Sequence, residues 1–211
     1  MDFSIFFDLI VHKMVICFIL LRKKRKTLEI ARILCYTVRM KYDYVTLYNK
    51  SAEFYNAHPT AKRAIKLGNK ALTWLFFVCY GVLWLDALFF STFGTLDLIG
   101  ILFVPLLTLL VVSVLRLAIT RPRPYTEAGA GITPFIDKKK VDLKSFPSRH
   151  LACATVISMV FLPFYPIAGG CLLIASALLG YIRFATGLHY PSDLLAGGAL
   201  GIVLGSLIFF L

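Results

Sequence analysis

Acidic residues are scarce in this chain of 211 residues: 11 Asp and Glu stand against 23 Lys and Arg, for a formal net charge of +12. Charge of either sign is thin as well, at 16% of residues, whereas hydrophobic residues make up 59%. That balance excludes an ordinary soluble domain and a disordered chain, both of which need more polar surface. The five cysteines, Cys17, Cys35, Cys79, Cys153 and Cys171, form no C-x-x-C pair, which argues against a disulfide framework or a zinc site. There is no short repeat of the kind that builds coiled coil or collagen. What remains is an integral membrane protein whose excess of cations points to an anionic membrane surface or an anionic substrate rather than to nucleic acid.

Five long apolar runs carry the composition, at residues 73–90, 98–115, 151–164, 167–182 and 194–211. A helix that crosses the hydrocarbon core needs roughly 20 apolar residues, so the first, second and fifth runs qualify outright and the third and fourth are short. The expected fold is an all-α integral membrane helical bundle with five core spans plus an N-terminal helical segment. That segment, residues 3–21, is interrupted by Asp8, His12 and Lys13, and reads as either a sixth span or an interfacial helix. Residues 61–72, with Lys62, Arg63, Lys66 and Lys70, suit a helix lying on the headgroups ahead of span one. Gly197, Gly201 and Gly205 recur every four residues and are expected to press the last span against the one before it.

The connections alternate in character. Residues 91–97 and 163–166 are short and carry no Lys or Arg, whereas residues 116–150 hold eight Lys and Arg against three acids. The two short turns therefore share one face, and the basic connection shares the other with residues 183–193.

Three polar clusters emerge on that second face, and polar groups beside membrane spans are costly enough to need a reason. Arg116 is followed after six residues by Arg123-Pro124, at the end of span two. Pro147-Ser148-Arg149-His150 opens span three, where Ser148 and the following backbone N–H groups form a helix N-terminus suited to an anion. Arg183 is followed after five residues by His189 and after three more by Asp193. Each cluster alone has a bland reading as a headgroup anchor, an N-cap or a local hydrogen bond. Together they place three guanidinium groups, two imidazoles and a carboxylate at one end of a bundle, a set that suits phosphoryl transfer. Planar guanidinium forks and backbone N–H groups stabilise the charge that spreads over the equatorial oxygens of the transition state. A neutral imidazole, His189, serves as nucleophile if Asp193 accepts from its other nitrogen, and His150 is the candidate acid for the leaving oxygen.

In these residues the sequence resembles the type 2 phosphatidic acid phosphatase superfamily of membrane lipid phosphatases. The family pattern is Lys, six residues, Arg-Pro; then Pro-Ser-Gly-His; then Ser-Arg, five residues, His, three residues, Asp. All three spacings hold across residues 116–193. The resemblance implies that His189 forms a phosphohistidine, Asp193 orients it, His150 is the general acid, and Arg116, Arg123, Ser148 and Arg183 bind phosphate. Three residues depart from the pattern: Arg116 replaces Lys, Arg149 replaces Gly and Ile182 replaces Ser. Arg149 would either add a further phosphate contact or crowd the site.

On this reading residues 1–60 are a membrane-associated helical region and residues 61–211 the lipid phosphatase domain, with no metal and no other cofactor. Its partners would be the bilayer and a lipid phosphate: phosphatidate, phosphatidylglycerophosphate, a phosphorylated saccharolipid or a polyprenyl diphosphate such as undecaprenyl diphosphate. The alternatives are a lipid phosphotransferase and a non-enzymatic lipid-phosphate binder or transporter. The positive-inside rule would make the basic face cytoplasmic. The family's habit implies the opposite, so the expected location of the site is the extracytoplasmic face of a bacterial cytoplasmic membrane.

Overall fold

The computed structural model describes residues 40–89, 93–126, 132–134 and 144–211. The segment 3–21, expected to span or to lie on the membrane, falls outside the described residues. Tyr44–Leu211 form one compact unit. Its helices are α1 (Met40–Ala57), α2 (Pro59–Phe89), α3 (Thr95–Ala118), α4 (Arg149–Phe161), α5 (Pro166–Ala185) and α6 (Pro191–Gly205), the last running into a 3₁₀ turn at Ser206–Phe210. Among the described residues there is no strand, only an isolated bridge between Arg121 and Lys144. The fold is all-α.

Among the described residues four helices are long and apolar enough to cross a membrane: α2, α3, α5, and α6 with its 3₁₀ extension. Large apolar side chains, among them Leu102, Leu106 and Leu110 on α3, point outward over this surface, which suits lipid and not water. The basic residues 61–72 do not form a separate surface helix. They head the same uninterrupted 31-residue helix that continues as span one, because no proline interrupts the run and Thr73, at the junction, turns its hydroxyl back to the Asn69 carbonyl at 2.7 Å instead of capping a new helix.

The shortest of the expected spans has a different explanation from the others. Helix α4 has only 13 residues, about 20 Å at 1.5 Å per residue, and every residue from Leu151 to Phe161 except Cys153 is buried. It is the central helix of the bundle and is packed by protein rather than lipid. Helix α6 presents glycines where it crosses α4. A Cβ on Gly197 would come within 2.5 Å of the Ser148 carbonyl oxygen, one on Gly201 within 2.7 Å of Thr155, and one on Gly205 within 2.5 Å of Met159. The glycine stripe thus presses the last span against α4, not against α5 as the sequence suggested. In a bundle surrounded by lipid, close backbone approach replaces the hydrophobic drive that water would supply.

The two short connections are as expected at their ends. Gly94 opens α3, its N–H donating to the Asp97 carboxylate at 2.8 Å, and Pro166 starts α5 within five residues of the end of α4. At this same end the Tyr165 hydroxyl donates to Asp86 at 2.5 Å, which accounts for a carboxylate inside span one.

Candidate active site

The opposite end of the bundle collects the C-termini of α3 and α5 and the N-termini of α4 and α6. Arg116 lies in the last turn of α3, Ser148 caps α4, Arg183 lies in the last turn of α5, and Asp193 in the first turn of α6. After α5 the chain must turn back to deliver His189 beside Asp193. Gly187, at φ 77°, makes that turn, a conformation that costs other residues about 1 kcal/mol or more. A side chain there would also meet Tyr48 and Ile132 at 2.9 Å.

Asp193 is fully buried and held from three directions. Its Oδ1 accepts from Arg121 at 2.6 Å, and its Oδ2 accepts from the Ser145 hydroxyl at 2.5 Å and the Tyr190 N–H at 3.2 Å. His189 Nδ1 faces the same Oδ2 at 3.6 Å, just outside hydrogen-bond reach. Arg121 also donates to the Ser192 hydroxyl at 2.7 Å, and its guanidinium lies 4.4 Å over the Tyr190 ring. The carboxylate is therefore fixed independently of the imidazole it faces.

The backbone ahead of α4 is braced in the same manner. Arg116 donates to the Pro147 carbonyl at 2.9 Å and to the Lys144 carbonyl, the Ser145 N–H reaches the Arg121 carbonyl at 3.0 Å, and the Ser148 N–H reaches the Asp193 carbonyl at 2.9 Å. Arg116 spends two of its five donors on that loop. Arginine at the expected lysine position thus braces the turn ahead of Ser148, a task for which a planar fork is better suited than a single ammonium.

Arg123, Arg183 and His189 are 4%, 3% and 1% exposed, and both arginines lie close enough to His189 to bear on its charge. Arg123 donates to the Leu188 carbonyl at 3.4 Å. Three buried polar atoms here have no partner within the protein: Ser148 Oγ, Arg183 Nε and His189 Nδ1. Gathering like charges in a desolvated place is costly unless an anion answers them, and Ser148 Oγ and Arg183 Nε are donors for one, while His189 Nδ1 is turned to Asp193. Burial pushes the His189 imidazole down to about 4, partly opposed by Asp193, with Arg123 and Arg183 pushing the same way as burial. The ring is neutral at pH 7, the form in which it is a nucleophile. With Nδ1 toward the carboxylate, Nε2 is the nitrogen left to react.

The structure brings together Arg116, Arg123, Ser148, Arg183, His189 and Asp193. Arg149 and His150 lie in the first turn of α4, Arg149 close enough to Arg116 to bear on its charge, and both line a groove of about 520 Å³ between α2, α3 and α4. The rest of that groove is nearly all apolar, with Phe76, Phe77, Leu102 and Leu106 along it. Sequence reasoning missed Arg121 and Ser145. Arg121 had a signal, its place in the Arg-Pro-Arg-Pro run two residues before Arg123. Ser145 had none, being 48 residues from the carboxylate it holds.

Residues 97–211 match the PAP2 superfamily, more than half of the chain. The chain belongs to that superfamily. Among PAP2 relatives it is 33% identical over 95 residues to a lipid A 1-phosphatase of Rhizobium etli, an overlap of 44% of this chain and 40% of that protein. The chain thus matches less than half the length of this curated relative. Its fold is similar to the crystal structure of Aquifex aeolicus LpxE, with a TM-score of 0.59 and 21% identity over 79% of this chain and 94% of the other. The PAP2 match starts within α3, and the likeness to the LpxE structure extends over more of the chain than that match.

Tyr44 and Tyr48 of α1 join Tyr125, Ile132, Leu188 and Tyr190 in one buried cluster over the His189 loop. The Tyr44 ring lies 5.0 Å from that of Tyr190, edge to face. Helix α1 therefore packs on the turn that carries His189.

Proposed function

We propose that the protein is a metal-independent phosphatase that removes phosphate from a membrane lipid phosphate or diphosphate through a phosphohistidine. The observation that carries this reading is the buried His189 facing a braced carboxylate among Arg116, Arg123 and Arg183. In the first step His189 Nε2 attacks phosphorus. The N–P bond forms as the P–O bond to the lipid breaks, and the leaving oxygen takes its electron pair and a proton from His150. In the second step water attacks the phosphohistidine and gives its proton to His150. The P–N bond breaks, and inorganic phosphate and neutral His189 are restored. The guanidinium groups and Ser148 hold the equatorial oxygens throughout.

The place of His150 supports the choice of a lipid. The acid stands at the polar end of an apolar groove, where a leaving group with an acyl or prenyl tail would lie. Arg149, beside it, would add a cation for a second phosphate. The name of the Rhizobium relative makes a phosphorylated saccharolipid the first substrate to try, ahead of phosphatidate, phosphatidylglycerophosphate and a polyprenyl diphosphate. The proposed location of the site is the extracytoplasmic face.

The test is phosphate release by purified protein from that panel, with and without chelator, together with acid quenching during turnover. Release that survives chelator, with acid-labile phosphate on the wild type and none on His189→Ala, is expected. Activity that vanishes in chelator and returns with a divalent ion would overturn the mechanism.

A further inference from the structure

Pro105 stands inside α3, in a helix that runs from Thr95 to Ala118. Proline has no N–H, so the carbonyl four residues back, that of Ile101, loses its helical donor. An orphan carbonyl inside a bilayer is costly, and the neighbouring span answers it: the Tyr80 hydroxyl of α2 donates to the Ile101 oxygen at 2.9 Å. Helices α2 and α3 each pack on α4 more than on one another, so this bond is a cross-brace between two spans with little other contact.

Tyr80 and Pro105 both line the apolar groove that starts at Arg149 and His150. Its depth is read from its walls, Thr73 to Tyr80 on α2, Leu109 to Leu102 on α3 and His150 to Ile157 on α4. Each wall covers seven residues of rise, about 10 Å at 1.5 Å per residue. Helix α2 starts at the active-site end, where Ile65 packs with Ile182 and Ala185 at the end of α5. Helix α4 starts there too and α3 finishes there, so Tyr80, Leu102 and Ile157 form the deepest layer. Beneath it Leu83 and Ile101 belong to the buried core. Outward the groove is open, since Phe77, Leu102 and Leu106 are exposed on the lipid-facing surface. A hydrocarbon chain with C–C bonds of about 1.5 Å fills that depth with about eight methylenes, and the open side is its way on.

We infer that Tyr80, held across the gap by the carbonyl that Pro105 frees, is a specificity determinant. Its ring floors the groove about eight methylenes below the reacting phosphate and turns the substrate's chain out between α2 and α3 into the bilayer, so that chains already bent at that depth are preferred. The inference rests on the proposed phosphatase reading, with the tail of the leaving group in the groove, and narrows it to the shape of that tail. A cis double bond at the floor supplies the bend in advance, and a preorganised ligand escapes the cost of being ordered on binding.

The experiment uses the full-length protein in neutral mixed micelles and a lipid phosphate of the panel above that it hydrolyses. Three alkyl monophosphates of eighteen carbons compete with that lipid: one saturated, one with a cis double bond at carbon 9, level with the floor, and one with it at carbon 13, beyond the floor. The inhibition constant is read, which holds whether or not the competitor itself turns over. For wild type the carbon-9 alkene should bind about fivefold more tightly than the other two. Tyr80→Leu by itself would leave the Ile101 carbonyl unpaired, so it is combined with Pro105→Ala, which restores the helical donor, and the pair is compared with Pro105→Ala alone. The single variant should keep the fivefold preference, and the double variant should lose it to within about twofold. Absence of the preference in wild type would overturn the proposal. So would an equal preference for both alkenes, which chain fluidity alone would give, or a preference that survives in the double variant. Loss of the preference in Pro105→Ala alone would assign it to the shape of α3 and refute the role of Tyr80, and no inhibition by any of the three would show that the tail does not lie in the groove. Hydrolysis of no lipid in the panel by wild type would instead refute the phosphatase reading itself. Circular dichroism and thermal midpoints at or above that of wild type confirm that both variants fold.

Discussion

The two histidines of the site sit in opposite surroundings. His189 is 1% exposed, faces a carboxylate that Arg121, Ser145 and the Tyr190 N–H already hold, and rides on a turn packed under aromatic side chains of α1. His150 lies half-buried along an apolar groove with Arg149. A nucleophile must be in position before substrate arrives, because misplacement of even about 1 Å costs rate. An acid that protonates a variable leaving group must instead stand where that group enters. On the proposed mechanism the difference in burial is a difference in role, and the effects of substitution should differ in kind as well as size.

The largest effect should come from the buried half. His189→Ala removes the atom that forms the covalent bond and should lower kcat by about 10⁴-fold or more, as loss of a nucleophile does elsewhere. Asp193→Asn should leave KM near wild type and lower kcat, because the ring keeps its place in the packing but loses its acceptor. A His189→Ala variant as active as wild type would end the comparison at once.

For the open half the loss should depend on the substrate. A diphosphate leaves as a phosphate whose conjugate acid has a pKa of about 6, whereas a monoester leaves as a much more basic alkoxide. His150→Ala should therefore slow a lipid monophosphate by about 10² to 10⁴-fold and a polyprenyl diphosphate markedly less. Equal losses on both would mean that His150 is not the proton donor to the leaving group.

Arg121 sharpens the comparison, since it holds Asp193, Ser192 and the Tyr190 ring and so would act on the proposed nucleophile from behind. Arg121→Gln should cut kcat by about 10 to 100-fold with KM little changed, the usual size for a residue that orients a reacting group from behind. Arg121→Lys should recover part of that rate, because it keeps the charge on Oδ1 but loses the fork that also reaches Ser192. A rise in KM alone would place Arg121 on the substrate instead.

These residues also mark how far the sequence could be read. The arginines, Ser148, His189 and Asp193 were legible because their spacing at helix ends is local: four residues join His189 to Asp193, and six separate Arg116 from Arg123. The bracing of Asp193 was not, because Arg121 and Ser145 reach it across 72 and 48 residues of chain, and nothing local in the sequence encodes such contacts. The spans were visible as apolar runs, but hydropathy cannot tell a helix facing lipid from one enclosed by protein. That is why α4 looked too short to be a good span when it is the core of the bundle. The glycine stripe was seen and assigned the wrong neighbour for the same reason. Periodicity shows that one face of α6 is small, but it does not show which helix fills it.

The smallest expected effect concerns pH, and it belongs to the buried half alone. Burial lowers His189 to about 4 from an ordinary 6.5, so between those values the unfolded chain binds a proton that the folded chain refuses. Stability from this residue is complete above about pH 6.5, falls as pH drops toward 4, and changes no further below that. At pH 5 the loss is on the order of 2 kcal/mol. The check is the thermal midpoint of wild type and His189→Gln at pH 7.5 and pH 5. The glutamine does not titrate, so wild type should lose more on acidification than the variant does. The same depression keeps the nucleophile neutral, so the acid limb of kcat/KM that belongs to His189 should lie well below 6.5. Equal falls in midpoint for the two proteins would show that His189 is not held neutral by its burial, and the contrast with His150 would then rest on position alone.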